Sequence, residues 1–121
     1  MIKGIDISTW QKRLDYNALK VKGIEFAIIR CGYGKEISQK DNMFEEHYVG
    51  CKNAGIKVGA YLYSYATSVD SGTAEGRNCL EFIKGKTFDL PIYIDLEEQS
   101  TASLGRSACT QIAKNFCNVI K

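Results

Sequence analysis

Apolar and polar residues alternate along this chain in a pattern that predicts short β-strands separated by helices. Runs rich in β-branched and aromatic residues recur at about 2–8, 26–31, 57–64 and 90–98, as expected of strands. Between these runs, apolar residues recur every three or four positions, which predicts helices over about 15–21, 41–53, 70–84 and 103–120. Parallel strands need such crossover connections, so four strand–helix units in series predict an α/β protein with a parallel sheet.

Individual residues refine this pattern of elements. Asp41 and Ser103 stand where helix N-caps are expected, and Gly55 stands where a helix would end. The nearly unbroken apolar run at 26–31 favours a strand that is buried on both faces. His47 lies on the polar side of its predicted helix, so we expect it to be exposed and assign it no role.

The last predicted strand carries two carboxylates on one face. Asp95 and Glu97 are two positions apart, and alternate side chains of a strand share a face. Two adjacent carboxylates repel each other, so a sequence selected only for stability would avoid them. The pair suits a site in which one acid is held protonated at neutral pH while the other is ionised, as in glycosidases. The alternative is that the strand ends early and both acids lie in water.

Asp6 adds a third carboxylate near the end of the first predicted strand. The carboxyl ends of parallel strands meet at one edge of a sheet, where α/β proteins place their sites. We therefore expect Asp6, Asp95 and Glu97 to lie in one pocket. Arg30 ends the second predicted strand and needs an anionic partner, for which Asp6 is the nearest candidate. A Mg²⁺ or Ca²⁺ site built from the three acids is an alternative.

Several aromatic residues are candidates for contacts with substrate. Tyr61 and Tyr63 share a face of the third predicted strand, and each combines an apolar ring with a polar tip, which suits binding to sugars. Tyr33, in a Gly-Tyr-Gly turn, is a similar candidate, whereas we assign no role to Tyr65. Trp10 fits either stacking on a sugar ring or packing against the first helix.

Composition excludes several other functions. The 121 residues carry a net charge of +2, and basic residues are not clustered as a nucleic-acid surface would require. Apolar runs are too short to span a membrane, and the start lacks the layout of a signal peptide. The five cysteines show no C-x-x-C spacing and there is a single histidine, so we expect free thiols and no metal or cofactor.

Five motifs in register resemble glycoside hydrolase family 25, the lysozymes or N-acetylmuramidases of bacteria and phages. They are Gly4-Ile-Asp-Ile-Ser8 with Trp10-Gln11, Ala27-Ile-Ile-Arg-Cys-Gly-Tyr-Gly34, Asp41 with Phe44 and Tyr48, Ala54-Gly-Ile-Lys-Val-Gly-Ala-Tyr61, and Leu90-Pro-Ile-Tyr-Ile-Asp-Leu-Glu97. The resemblance implies cleavage of the β-1,4 bond between N-acetylmuramic acid and N-acetylglucosamine in peptidoglycan, at the bacterial cell wall. It also implies that Glu97 is the catalytic acid, with a pKa raised by burial and a neighbouring carboxylate. Asp95 and Asp6 would be its companion carboxylates.

The family fold is an irregular parallel (β/α) barrel of the TIM type, and barrels of that type typically need about 250 residues. We therefore interpret residues 1–121, with about four βα units, as the N-terminal part of a catalytic barrel. Two copies, or additional chain, would complete the barrel and cover its open strand edges. The alternative function is that of a truncated, inactive fragment that binds glycan.

Overall fold

The computed structural model describes residues 2–120, which form a four-stranded parallel sheet with helices between the strands. The strands are β1 (Lys3–Ile7), β2 (Ile24–Tyr33), β3 (Lys57–Tyr63) and β4 (Ile92–Asp95), in that spatial order. The helices are α1 (Tyr16–Val21), α2 (Phe44–Ala54), α3 (Ser71–Ile83), α4 (Gln99–Ala102) and α5 (Arg106–Ile120), with a short 3-10 helix at Ile37–Gln39. The predicted α/β architecture with a parallel sheet is confirmed.

One face of the sheet is covered by the helices and forms the hydrophobic core. Its strand residues are fully buried and alternate along β2 and β3: Ala27, Ile29, Cys31, Val58, Ala60 and Leu62. The intervening residues of β2 are only half-buried. The prediction of a strand buried on both faces was therefore wrong. The apolar run is continuous because Phe26 and Ile28 line the second, more open face, which is the face that carries polar side chains.

Two predicted helix starts differ from the structure. α2 begins at Phe44, and Asp41 lies before it as a buried residue that pairs with Arg30. Ser103 ends α4, and α5 starts only at Arg106. Between these two helices Gly105 has a φ of +100°, a left-handed conformation that glycine adopts without strain and that interrupts a continuous helix.

His47 is completely buried, so the prediction of an exposed histidine was wrong. Its Nε2 atom lies 2.9 Å from the carbonyl oxygen of Ser8 and 3.0 Å from that of Gln11. Carbonyls only accept hydrogen bonds, so Nε2 carries the proton and Nδ1 accepts from the Tyr16 hydroxyl at 2.7 Å. His47 thus joins α2 to α1 and to the β1–α1 loop.

The cysteines are free thiols, as predicted, with Cys31, Cys51 and Cys79 buried in the core. The sulfur atoms of Cys31 and Cys79 lie 3.7 Å apart. Within the part of the chain that the structure describes, no helix is both long enough and apolar enough to cross a membrane.

Candidate active site

Acidic and aromatic side chains meet on the open face of the sheet, where the strands end. The parallel register places Tyr63 of β3 beside Asp95 of β4 and Tyr61 beside Tyr93. Together with β1 and β2 they surround a cavity of about 570 Å³, here called the carboxylate cavity. It is lined by Asp6, Trp10, Ile28, Arg30, Tyr61, Tyr63, Tyr93, Ile94, Asp95 and Glu97.

The structure therefore brings together five of the six predicted site residues: Asp6, Tyr61, Tyr63, Asp95 and Glu97. The sixth, Tyr33, lies outside this cavity and lines a neighbouring one. A larger groove of about 920 Å³ lies between α1 and α2, away from the strand ends, and contains none of these residues.

The carboxyl groups of Asp95 and Glu97 interact directly. Burial, a hydrogen bond to Glu97 and the negative charges of Glu97 and Asp6 raise the pKa of Asp95 to about 6. Strand β4 ends at Asp95, so Glu97 lies just beyond it and is exposed at the cavity. The raised pKa of Asp95 fits the expectation of a perturbed carboxyl pair, and burial of this side chain is its main cause.

Two tyrosines place hydroxyl groups beside the carboxylates. Burial raises the pKa of Tyr61 to about 12, and the charges of Asp6 and Asp95 contribute in the same direction while Arg30 opposes them. The Tyr63 hydroxyl donates a hydrogen bond to Oε2 of Glu98 at 2.9 Å, and this bond raises the pKa of Tyr63 to about 12. Both hydroxyls therefore remain protonated at neutral pH; the Tyr63 proton is donated to Glu98, so its hydroxyl oxygen is left to accept a hydrogen bond.

Arg30 is paired with Asp41, whereas the sequence suggested Asp6. The Arg30 Nε atom lies 2.8 Å from Oδ2 of Asp41, and the Asp41 side chain is fully buried. Asp41 also accepts hydrogen bonds from the backbone N–H groups of Thr9 and Met43, at 2.9 and 2.8 Å. Among residues 2–120, Asp6 forms no ion pair, so its charge adds to the negative potential of the cavity.

Sequence reasoning missed two residues of the site. Tyr93 lines the cavity and is 47% exposed. It could have been found by extending the alternation of Asp95 and Glu97 back by two positions. Glu98 holds the Tyr63 hydroxyl, and this contact has no sequence signal because 35 residues separate the two partners.

Trp10 and Tyr65 also differ from expectation. Trp10 is 80% exposed and lines the carboxylate cavity, so it does not pack against the first helix. Tyr65, which was given no role, contacts Tyr63 and Tyr33 with ring centroids 5.2 and 5.8 Å apart. The two residues extend the aromatic lining beyond the carboxylate cavity.

In residues 2–120, no three His, Cys, Asp or Glu side chains are grouped in a way that could hold a metal ion. A parallel sheet that carries a hydrogen-bonded carboxyl pair among exposed aromatic rings at its carboxyl end suits glycoside hydrolysis. The comparison with family models agrees, because residues 5–121 match the model for glycosyl hydrolases family 25. The chain belongs to this family, which confirms the resemblance seen in the sequence.

Individual relatives support the same assignment. The chain is 35% identical over 114 residues to the autolytic lysozyme of Clostridium acetobutylicum, an alignment that covers 94% of this chain and 32% of that protein. It is 29% identical over 120 residues to lysozyme M1 of Streptomyces globisporus, covering 97% of this chain and 40% of the relative. The chain thus spans about a third to two fifths of the length of these curated relatives.

A solved structure extends the likeness to the fold. The bacterial lysozyme of Streptomyces coelicolor superposes with a TM-score of 0.83 at 28% identity, over 99% of this chain and 57% of that one. The architecture described above is therefore that of a known lysozyme over the part that the two share.

Proposed function

We propose that this chain is the part of a peptidoglycan-cleaving glycoside hydrolase that carries the catalytic carboxyl groups. The bond cleaved is the β-1,4 bond between N-acetylmuramic acid and N-acetylglucosamine. The observation that supports this most is the hydrogen-bonded Asp95–Glu97 pair, since burial and like charge hold the pKa of Asp95 at about 6 in a cavity rich in tyrosine. Carboxyl groups with separated pKa values divide the roles of acid and charged partner in glycosidases.

One proton shared by the pair can serve the reaction. The Asp95 and Glu97 carboxyl groups are hydrogen-bonded, so a proton held by Asp95 can pass directly to Glu97. We assign proton donation to Glu97, which is exposed at the cavity where a glycosidic oxygen can approach. Asp95, ionised after the transfer, stabilises the positive charge that develops on the sugar ring, or orients the N-acetyl oxygen of the substrate as an internal nucleophile.

Asp6 and the tyrosines complete the proposed site. Asp6 lies across the cavity on β1 and is the alternative nucleophile or a second source of negative charge. Tyr61, Tyr63 and Tyr93 offer rings for stacking and hydroxyl groups for hydrogen bonds with sugar. Whether the anomeric configuration is inverted or retained depends on the separation of the two reacting carboxyl groups. It therefore depends on whether Asp6 or Asp95 acts as the partner of Glu97.

The chain's place in a larger catalytic barrel is part of the proposal. In the described part of the chain, β1 and β4 each pair with a single neighbouring strand, and the helices between successive strands fit a TIM-like barrel. We infer that residues 1–121 form the N-terminal portion of such a barrel. Further chain or a second copy would cover the two strand edges. The proposed site of action is the bacterial cell wall.

A second candidate function is a glycan-binding fragment without turnover. The exposed rings of Trp10 and Tyr65 favour it, because they offer binding surface that needs no catalytic group. The two candidates share a substrate and differ only in whether the carboxyl pair reacts.

The test is a digest of purified peptidoglycan with the chain, its Glu97→Gln variant and a Glu81→Gln control on the exposed side of α3. Mass spectrometry identifies any new reducing ends. N-acetylmuramic acid ends are expected from the parent and the control, with a loss of about 100-fold or more in Glu97→Gln. Binding without new ends in all three would refute catalysis and leave the glycan-binding fragment. Equal cleavage by all three would refute the role of Glu97.

A further inference from the structure

Glu97 lies in a short connection, residues 96–98, between the end of β4 and the start of α4. Its side chain is exposed, whereas Asp95, at the end of β4, is partly buried. The hydrogen bond between the two carboxyl groups therefore depends on how the connection is held at each end. One end is the sheet itself. The other end is α4, a helix of only four residues, which is too short to keep its place without tertiary contacts.

Thr101 supplies such a contact. It is the one residue of α4 that is buried, and its side chain is fully enclosed. Its hydroxyl donates a hydrogen bond of 2.8 Å to the carbonyl oxygen of Ala66. Its N–H donates to the carbonyl oxygen of Glu98 at 3.0 Å, so the same residue ties α4 back to the connection that carries Glu97. An apolar side chain could fill this buried position, but only the hydroxyl forms a bond with a fixed direction.

The segment that accepts this bond, residues 64–66 after β3, is here called the β3 extension. Glu75, a buried residue of α3, accepts hydrogen bonds from the Ser64 hydroxyl at 2.6 Å and from the Tyr65 N–H at 2.9 Å. The Ser64 hydroxyl oxygen in turn accepts a bond from the Ala66 N–H at 3.1 Å. The β3 extension is therefore fixed to α3 from inside the protein and forms a firm support for the groups that bond to it.

Both ends of the connection that carries Glu97 are bonded to this support. The Ser64 N–H donates to the carbonyl oxygen of Asp95 at 2.9 Å. The Thr101 hydroxyl donates to the carbonyl oxygen of Ala66, two residues further along the β3 extension. The residues between these two bonds, Glu97 among them, therefore keep a fixed place relative to Asp95.

We propose that Thr101 is a positioning residue for the Asp95–Glu97 pair: its hydroxyl holds α4 against the β3 extension and so keeps the Glu97 carboxyl within hydrogen-bond reach of Asp95. The proposal rests on the proposed function for its bearing on catalysis, since passage of a proton between the two acids needs that reach. Thr101 is fully buried and acts only through the backbone. Without its hydroxyl, α4 shifts, the Glu97 carboxyl moves away, and Asp95 loses a neighbouring charge.

The test compares two substitutions of Thr101. Thr101→Val keeps the branched shape without the hydroxyl, and Thr101→Ser keeps the hydroxyl and loses a methyl group. NMR titration with 13C-labelled Asp and Glu gives the midpoint of the Asp95 carboxyl, expected near pH 6 in the parent. The Glu97 carboxyl is one cause of that value, while the bond between Tyr63 and Glu98 still holds part of the connection. Thr101→Val should therefore lower the midpoint by roughly 0.5 to 1 pH unit, and Thr101→Ser should leave it unchanged.

Ile112→Val is the matched control for general loosening of the fold. Ile112 is fully buried in α5, so its truncation costs stability without touching the carboxyl pair, and the Asp95 midpoint should stay where it is. In a peptidoglycan digest, Thr101→Val should lower kcat about tenfold with KM unchanged, because only the placement of the acid is altered. Thr101→Ser should retain most of the kcat of the parent.

An unchanged Asp95 midpoint in Thr101→Val would overturn the proposal. Equal shifts in Thr101→Val and Thr101→Ser would also overturn it, since they would assign the effect to packing, and an equal shift in Ile112→Val would assign it to stability. If the midpoints change as expected and the parent does not cleave peptidoglycan, the proposed function fails while the positioning of the pair is supported. If the parent cleaves and the midpoints do not move, only the role of Thr101 fails.

Discussion

Replacing Asp95 with Asn should stabilise the protein at neutral pH and leave its stability unchanged in acid. The folded state raises the pKa of Asp95 from 3.8 to about 6, so folding favours the protonated form. The stability that this group contributes is fully present below about pH 4 and is lost as the pH rises through 6. Asn mimics the neutral acid at every pH, so Asp95→Asn avoids that loss.

The magnitude follows from the shift in pKa. A change from 3.8 to about 6, at about 1.4 kcal/mol for each pH unit, sets an upper limit of about 3 kcal/mol. The cavity is open to water, which screens the repulsion among Asp95, Glu97 and Asp6. We therefore expect a gain of about 1 to 1.5 kcal/mol at pH 8, or roughly 4 to 6 °C in Tm for a domain of this size.

The measurement is urea or thermal unfolding of the parent and Asp95→Asn at intervals from pH 4 to pH 8. Titrations of groups remote from Asp95 cancel in the difference between the two proteins, whereas its neighbours Glu97 and Asp6 remain part of the measured effect. Asp70→Asn, at an exposed carboxylate without a capping hydrogen bond, is the matched control and should change stability by less than about 0.5 kcal/mol. A difference between parent and Asp95→Asn that stays flat or becomes negative with rising pH would refute the reasoning.

Two further predictions concern how the scaffold is held together. Asp41→Asn should destabilise the fold by about 3 kcal/mol in urea unfolding, since it leaves the half-buried Arg30 without its partner, whereas Asp6→Asn should not; equal losses would restore Asp6 as the partner. Gly72→Ala should cost about 1 to 3 kcal/mol, because a Cβ there would lie 2.4 Å from the carbonyl oxygen of Ile112 and force α3 and α5 apart. Unchanged stability of this variant would show that the two helices separate without cost.

The arrangement of strands and helices was predictable because it depends on local spacing. The alternation of side chains predicts that Asp95 and Glu97 share a face. The spacing of apolar residues predicts where each strand ends, which is where the site lies. The same rule brings Asp6, Tyr61 and Tyr63 to the same edge, since all strands run in parallel. Five of the six candidate residues therefore line one cavity.

The failures involve contacts between residues that are far apart in sequence or on irregular loops. Asp41 resembles an N-cap locally, but the β2–α2 loop turns back so that its carboxylate reaches Arg30. His47 looks exposed on a helical projection, yet the β1–α1 loop folds over it and supplies two carbonyl acceptors. Tyr33 belongs to a turn whose direction no periodicity specifies, and it faces the adjoining cavity.

The sequence also could not predict which of Asp95 and Glu97 is the more buried. Spacing alone treats Asp95 and Glu97 as equivalent members of one strand face. In the structure β4 ends between them, so that Asp95 is partly buried and Glu97 is exposed. Burial of the Asp95 side chain is the main cause of its raised pKa.

The most direct test of the account is a carboxyl titration by NMR, with 13C-labelled Asp and Glu, in the parent and in Glu97→Gln. The account requires one proton to be shared by the Asp95–Glu97 pair, so the Asp95 carboxyl should titrate near pH 6 in the parent. In Glu97→Gln the neighbouring charge is gone, and the midpoint should fall toward the ordinary value for Asp. A midpoint near 4 in both proteins would contradict the shared proton, and with it the proposed division of roles between the two acids.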